Sequence, residues 1–202
     1  MLGLLTLDHR EPAMRYSQSR KEDTRQLLLE KGAAEIKRAG FAATGVDRLM
    51  QAAGLSGGAL YAHFASKTAL LVAIVQAELA KSVRMLTGKP EVPAAEALER
   101  CLGRYLSLEH VQHPETGCIL PALAAELGRA SPEVKAVVDA ATQEFVAFWA
   151  LRLGSGAAAQ VLLNQCVGTI LMARMSDDEV RQIEILEGSR RFLLESLTPR
   201  ST

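Results

Sequence analysis

Thr44-Gly45-Val46-Asp47-Arg48-Leu49-Met50-Gln51-Ala52-Ala53-Gly54-Leu55-Ser56-Gly57-Gly58-Ala59-Leu60-Tyr61-Ala62-His63-Phe64-Ala65-Ser66-Lys67-Thr68-Ala69-Leu70 is the stretch that decides the fold. It reads as a helix, a tight turn, a second short helix and the capped start of a third. Thr44 has the chemistry of an N-cap, a hydroxyl able to satisfy a free amide of the first turn. Val46, Leu49, Met50 and Ala53 then repeat at helical spacing. Gly54 can take a left-handed conformation without steric cost, which ends one helix and turns the chain sharply. Ser56 is placed to cap the next helix. Leu60 and Phe64, four apart, share a face that can pack on the helix before. Ser66 is placed to cap a long helix starting at Lys67. Such a unit can set one short helix in the DNA major groove. The spacing also fits an ordinary helical hairpin inside an all-α core.

Outward from this stretch the pattern stays helical. A first helix is expected over about Lys21 to Ala39, with Leu27, Leu28, Ala34 and Ile36 apolar and Gly40 as its stop. The helix from Lys67 runs to about Leu86, where Thr87-Gly88-Lys89-Pro90 ends it. Five helices are expected after it. One leads from Pro93 to about His110, and a short one covers about Cys118 to Arg129. A third starts at Ser131-Pro132-Glu133, cap followed by proline in the first turn, and ends at Gly154-Ser155-Gly156. The last two cover about Ala157 to Met175 and Asp177 to Leu197. Three regions follow: 1–20 as a flexible N-terminal arm, 21–66 as a helix-turn-helix DNA-binding domain, and 67–202 as a helical domain expected to bind a ligand and to dimerise.

Composition supports an all-α protein of 202 residues, 49% apolar and 4% aromatic, without long runs of Val, Ile and Thr. The most apolar stretch, 157–175, is interrupted by Gln160, Asn164, Gln165 and Arg174, so no membrane span and no membrane partner are expected. The opening seven residues lack a basic region and do not read as a signal peptide; Met14 is an alternative first residue. Net charge is zero, but residues 1–67 carry ten Lys/Arg against seven Asp/Glu, and the rest carries thirteen against sixteen. A basic end and an acidic remainder suit DNA binding confined to one end. Arg10, Arg15, Arg20, Lys21 and Arg25 make the basic arm, or simply a solvated tail. Cys101, Cys118 and Cys166 form no C-x-x-C spacing, which argues against disulfides and structural zinc and suits a reducing cytoplasm. His110, His113 and Cys118 lie close in sequence but match no metal template.

The residues together resemble the DNA-binding domain of TetR-type transcriptional regulators. The resemblance begins at Thr24-Arg25 and passes through Gly40-Phe41, Thr44, Val46 and Ala53-Gly54-Leu55-Ser56. It closes with Gly58, Leu60-Tyr61, His63-Phe64, Ser66-Lys67 and Leu70. It is similar in particular to a subgroup ending its recognition helix in Tyr-Ala-His-Phe-Ala-Ser-Lys. The resemblance implies a homodimer that binds a palindromic operator in double-stranded DNA and releases it when a small-molecule effector enters the C-terminal half. A weaker resemblance to one subgroup's ligand-binding half runs over residues 117–126 and 131–134. Departures fall where DNA would be read: Gly57 stands where Lys, Arg or His is common, Ala62 where a bulkier residue is, and Gly45 where Ser or Thr is usual. The candidate DNA-contacting residues are Arg25, Thr44, Arg48, Ser56, Gly57, Ala59, Tyr61, His63 and Lys67. Gly57 and Gly58 each weaken a helix by roughly 1 kcal/mol relative to alanine.

A pocket is expected between the helix from Lys67 and those over 93–153. Its candidate ligand-binding residues are Tyr105, His110, Cys118, Phe145, Phe148 and Trp149, with Leu106 beside them; each also reads as plain core. The helix over 157–175 is apolar on much of its circumference and must be covered on more than one side, by a second subunit or within one. Leu193 is taken as an inward position of that interface. Cys118, after Gly117 at a helix start, is a candidate reactive thiolate or a small buried hydrophobe. No cofactor and no metal is implied. A nucleophile elbow, a P-loop and a dinucleotide fingerprint are all missing, which disfavours an all-α enzyme. The leading expectation is a ligand-responsive transcriptional regulator, a repressor; the alternative is a TetR-like interaction module with weak or lost DNA recognition.

Overall fold

The computed structural model describes residues 11–198, with side chains from Arg20 onward. The basic arm before Glu11, with Arg10, lies outside the described residues, as does the Arg15 side chain. Among the described residues there are ten α-helices and no strand. They are α1 (Glu11–Ala39), α2 (Val46–Ala52), α3 (Leu60–His63, entered through a 3₁₀ turn Gly57–Ala59), α4 (Lys67–Thr87) and α5 (Ala94–Tyr105). The rest are α6 (Leu108–Gln112), α7 (Ile119–Gly128), α8 (Pro132–Leu153), α9 (Gly156–Arg174) and α10 (Glu179–Leu197).

Two of these boundaries correct the sequence reading. The first helix begins at Glu11, ten residues ahead of Lys21. The single helix expected over 93–110 is broken at Leu106, whose backbone (φ −90°, ψ 70°) leaves the helix. Ser107 starts a new one, its hydroxyl accepting the His110 amide at 3.2 Å. Serine competes with the helix for backbone bonds and favours a fresh cap over a continuous run. Six helices therefore follow α4, not five.

The core is two connected clusters. One gathers Leu28, Ile36, Leu49, Met50, Leu60 and Phe64 of the first three helices around Leu70, Ile74 and Val75 of α4. It does not stop at α4: Ile119, Leu123 and Leu127 of α7 and Val134 of α8 belong to it. The other gathers Leu98, Leu102 and Tyr105 of α5, Phe145 and Trp149 of α8, Leu162 and Ile170 of α9, and Leu193 of α10. Helix α4 runs between the two, its first half in one cluster and Val83 and Leu86 in the other. Helix α9 is long and apolar enough to cross a membrane, but here it packs on α7, α8 and α10.

Candidate nucleic-acid interface and effector cavity

The first three helices and the N-terminus of α4 form a reading head. Gly40, at φ +84°, ends α1 in a left-handed conformation. Thr44 does not cap α2; Gly45 holds that place. The Thr44 side chain is fully buried, and its hydroxyl donates to the Gly40 carbonyl at 2.5 Å. A hydroxyl given to the end of α1 is lost to the start of α2, so Thr44 braces the loop and is not a groove contact. Gly54, at φ +71°, makes the turn, with the Leu55 amide donating to the Met50 carbonyl at 2.9 Å. Ser56 takes the N-cap position of the 3₁₀ turn without a side-chain bond. Leu60 and Phe64 are buried on the first cluster as expected. Ser66 caps α4, accepting the Ala69 amide at 3.0 Å.

Among the candidate DNA contacts, Ser56 and Tyr61 face solvent; Gly57, Ala59 and His63 are half-buried. Tyr61 is the prominent one, 72% exposed. The basic candidates are engaged within the head. Arg25 donates to the His63 carbonyl at 3.0 Å and lies 4.2 Å from the Phe64 ring centre. It thus ties down the C-terminal end of α3. Lys67 donates to the Phe41 carbonyl at 3.1 Å and sits 4.4 Å over the Phe41 ring. Arg48 pairs with Glu35 at 2.5 Å yet keeps 60% of its side chain exposed. A Cβ at Gly57 would overlap the Asp47 carboxylate. Sequence reasoning missed Asp47, which occupies the space a larger residue at 57 would take.

Three polar contacts join the head to the α6–α7 region, and none was anticipated. Lys37 of α1 is buried; it meets Glu78 of α4 at 2.5 Å and donates to the Gly117 carbonyl at 3.0 Å. Glu126 of α7 accepts the Phe41 and Ala42 amides at 3.1 and 2.7 Å. Arg38 reaches Glu115 at 3.4 Å. Each partner lies about forty or more residues away in sequence, so no local pattern signals it.

The expected pocket divides. Tyr105, Cys118 and Phe145 line a small cavity of about 20 Å³ with Leu79, Ser82 and Val83 of α4. His110, Phe148 and Trp149 do not line it. The His110 ring is a buried brace: one nitrogen donates to the Tyr105 carbonyl at 2.7 Å, and the other accepts the Cys118 amide at 3.0 Å. Both nitrogens are therefore used, which removes His110 as a metal ligand. Burial holds its pKa down at about 4. Phe148 and Trp149 pack edge to face at 5.6 Å, with Arg152 over Phe148. Cys118 is the N-cap residue of α7, as its sequence context suggested, but its side chain is buried, so it is not an exposed thiolate. Burial pushes the Cys101 thiol up to about 12 and raises Cys166 as well. A larger groove of about 590 Å³ lies between α7, α8 and α9 and shares Leu120, Thr142 and Leu163 with the small cavity.

A helix-turn-helix head is thus carried on an all-α body that holds a cavity. Residues 28–74 match the model of the bacterial regulatory proteins, tetR family. No curated protein matches the chain. Solved structures similar to it include E. coli NemR in its reduced form, 23% identical, TM-score 0.75, covering 89% of this chain and all of that one. A TetR-family transcriptional regulator from Agrobacterium tumefaciens is 18% identical, TM-score 0.72, with the same coverages of 89% and 100%. Bacillus subtilis FadR in complex with stearoyl-CoA is 17% identical, TM-score 0.67, covering 86% of this chain and all of that one. The chain thus carries a tetR-type N-terminal domain and shares the fold of these regulators over most of its length.

Proposed function

We propose that this protein is a cytoplasmic, homodimeric transcriptional regulator, a repressor that holds a palindromic operator and releases it when a small molecule binds. The observation that carries the reading is the sharing of elements: α4 and α7 wall the cavity and also pack into the reading head. A ligand that favours one arrangement of these helices shifts the population of the other. Dimer formation is supported by Val161 and Met172 on α9 and Val180 and Phe192 on α10, large apolar side chains left half or more exposed. Their face is expected to bury more than roughly 1,000 Å² in the dimer. The Tyr61-to-Lys67 ending supports reading this helix as the recognition helix of the subgroup named above. No catalytic role is assigned.

The test is selection of operator DNA from random sequence with the full-length protein. The expected product is a palindrome whose half-sites are about 34–36 Å apart or a multiple of it. Tyr61→Phe should weaken binding across all sequences, since the exposed hydroxyl is read as a phosphate contact. One observation favours a second reading, an interaction module without operator recognition: Arg25 and Lys67 are spent within the head, and residues 56–59 have little reach. Failure to enrich any sequence decides for that reading.

A further inference from the structure

The small cavity has one polar feature without a partner. Tyr105 is 2% exposed and its hydroxyl accepts and donates no hydrogen bond. Burial raises its pKa well above the ordinary value and the nearby Cys118 thiol adds to this, though no group reaches the hydroxyl in good hydrogen-bond geometry. A buried hydroxyl left unpaired is costly, and a ligand that pairs it recovers that cost. The rest of the wall is apolar or neutral: Ser82, Val83, Cys118, Phe145 and Leu163. No ionisable carboxylate, ammonium or guanidinium lines it. The Arg174 guanidinium acts on Tyr105 from nearby but already donates to the His110 and Val111 carbonyls, so a charged group placed there would be buried without a directly bonded counter-ion.

Space and route are also present. The cavity of about 20 Å³ holds no more than a water molecule as it stands. Across Leu120, Thr142 and Leu163 lies the groove of about 590 Å³, apolar inside and carrying Lys135 and Asp139, a size that suits a small organic molecule. Widening the cavity displaces its walls. Two of those walls are α4, through Ser82 and Val83, and the start of α7, where Leu123 already departs from helical geometry (φ −121°, ψ 17°).

We propose that the effector is a small molecule with an apolar body and an uncharged, oxygen-bearing end, which comes in from the α7–α9 groove and sets that oxygen on the Tyr105 hydroxyl. This rests on the effector-released reading above. Four benzyl compounds of similar size test it: benzyl alcohol, toluene, benzoate and benzylamine, titrated calorimetrically into the full-length protein at neutral pH. Benzyl alcohol is expected to bind most tightly, toluene more weakly, and the two ions not measurably. Tyr105→Phe removes a group that has no partner, so the free protein keeps its fold. The variant should lose roughly fivefold to tenfold in benzyl alcohol affinity and nothing for toluene. Equal binding of benzoate, an unchanged benzyl alcohol affinity in Tyr105→Phe, or no binding of any of the four at millimolar concentration overturns the proposal. Operator affinity is followed separately by fluorescence anisotropy. Benzyl alcohol that binds at Tyr105 yet leaves operator affinity unmoved overturns the effector assignment. A protein that binds no operator under any condition sinks the regulatory reading, while the calorimetry still judges the cavity.

Discussion

Gly57 shows how a single residue sets what the head can read. Its missing side chain leaves room for the Asp47 carboxylate, so the recognition turn presents a negative group where the resemblance leads one to expect a positive one. Gly57→Lys should turn Asp47 aside, which is cheap for an exposed side chain, and add a cation to the groove face. Operator affinity should rise severalfold, with a log–log salt slope steeper by about one; titration at three salt concentrations reads both. His110 makes a different prediction. Its ring is neutral in the fold and gains a proton only near pH 4, whereas in the unfolded chain it does so near 6.5. Between these values the unfolded state binds more protons, so stability is full above about 6.5 and falls as pH drops towards 4. The loss by pH 5 should be on the order of 2 kcal/mol, and His110→Gln should flatten that segment of a urea-melt series. Residue types such as Gly54, Ser66, Leu60 and Phe64 were legible because their roles are local: a turn, a cap, a face. Thr44 was not, because a threonine at a helix boundary can serve either neighbour, and only the position of the Gly40 carbonyl decides. The partners of Arg25 and Lys67, 38 and 26 residues away, likewise leave no trace in spacing.

At the scale of elements, helix existence was readable and helix continuity was not. Apolar periodicity carries across the α5–α6 junction, so nothing but the Ser107 cap marks the break. The helices of the proposed interface, α9 and α10, pose a sharper case. Leu193 was the inward position expected at the dimer contact, yet it is fully buried within its own subunit, while the neighbouring Phe192 is 59% exposed. Periodicity shows that a helix has an apolar face; it does not say which part of that face meets its own core and which meets another subunit. The two positions therefore separate folding from assembly. Leu193→Glu should strand a charge in the core and cost on the order of 3–5 kcal/mol, seen as a lost or lowered thermal transition. Phe192→Glu should keep the helical content and melt of the subunit while shifting its mass in light scattering from dimer to monomer. A Phe192→Glu protein that stays dimeric at micromolar concentration would move the interface off α10.

The whole molecule is joined less by α4 alone than by α4 and α7 together. Sequence reading drew a boundary at residue 66, with α4 as the physical link. The packing instead carries α7 and the start of α8 into the core of the head. The polar contacts follow the same path: Glu126 holds the Phe41–Ala42 backbone, and Lys37 holds the Gly117 carbonyl one residue from the cavity wall at Cys118. If effector binding moves the start of α7, these contacts transmit the movement to the loop between α1 and α2, which positions the recognition helix. Cutting them should therefore weaken coupling more than binding. Glu126→Ala removes two bonds to partly exposed amides, so the subunit should still fold and operator affinity without effector should change by less than about threefold, the scale of one modest hydrogen bond. The factor by which effector lowers operator affinity should shrink roughly fivefold, about 1 kcal/mol of coupling. Lys37 cannot be tested by single removal, because Glu78 would be left nearly buried without its partner and the fold would suffer. Replacing the pair together, Lys37→Met with Glu78→Leu, removes the ion pair and the bond to Gly117 without leaving a lone buried charge. Anisotropy titrations of both variants with and without effector give the coupling directly. Release of operator as full as wild type by both the Glu126→Ala protein and the Lys37→Met, Glu78→Leu protein would show that these polar contacts do not carry the transmission.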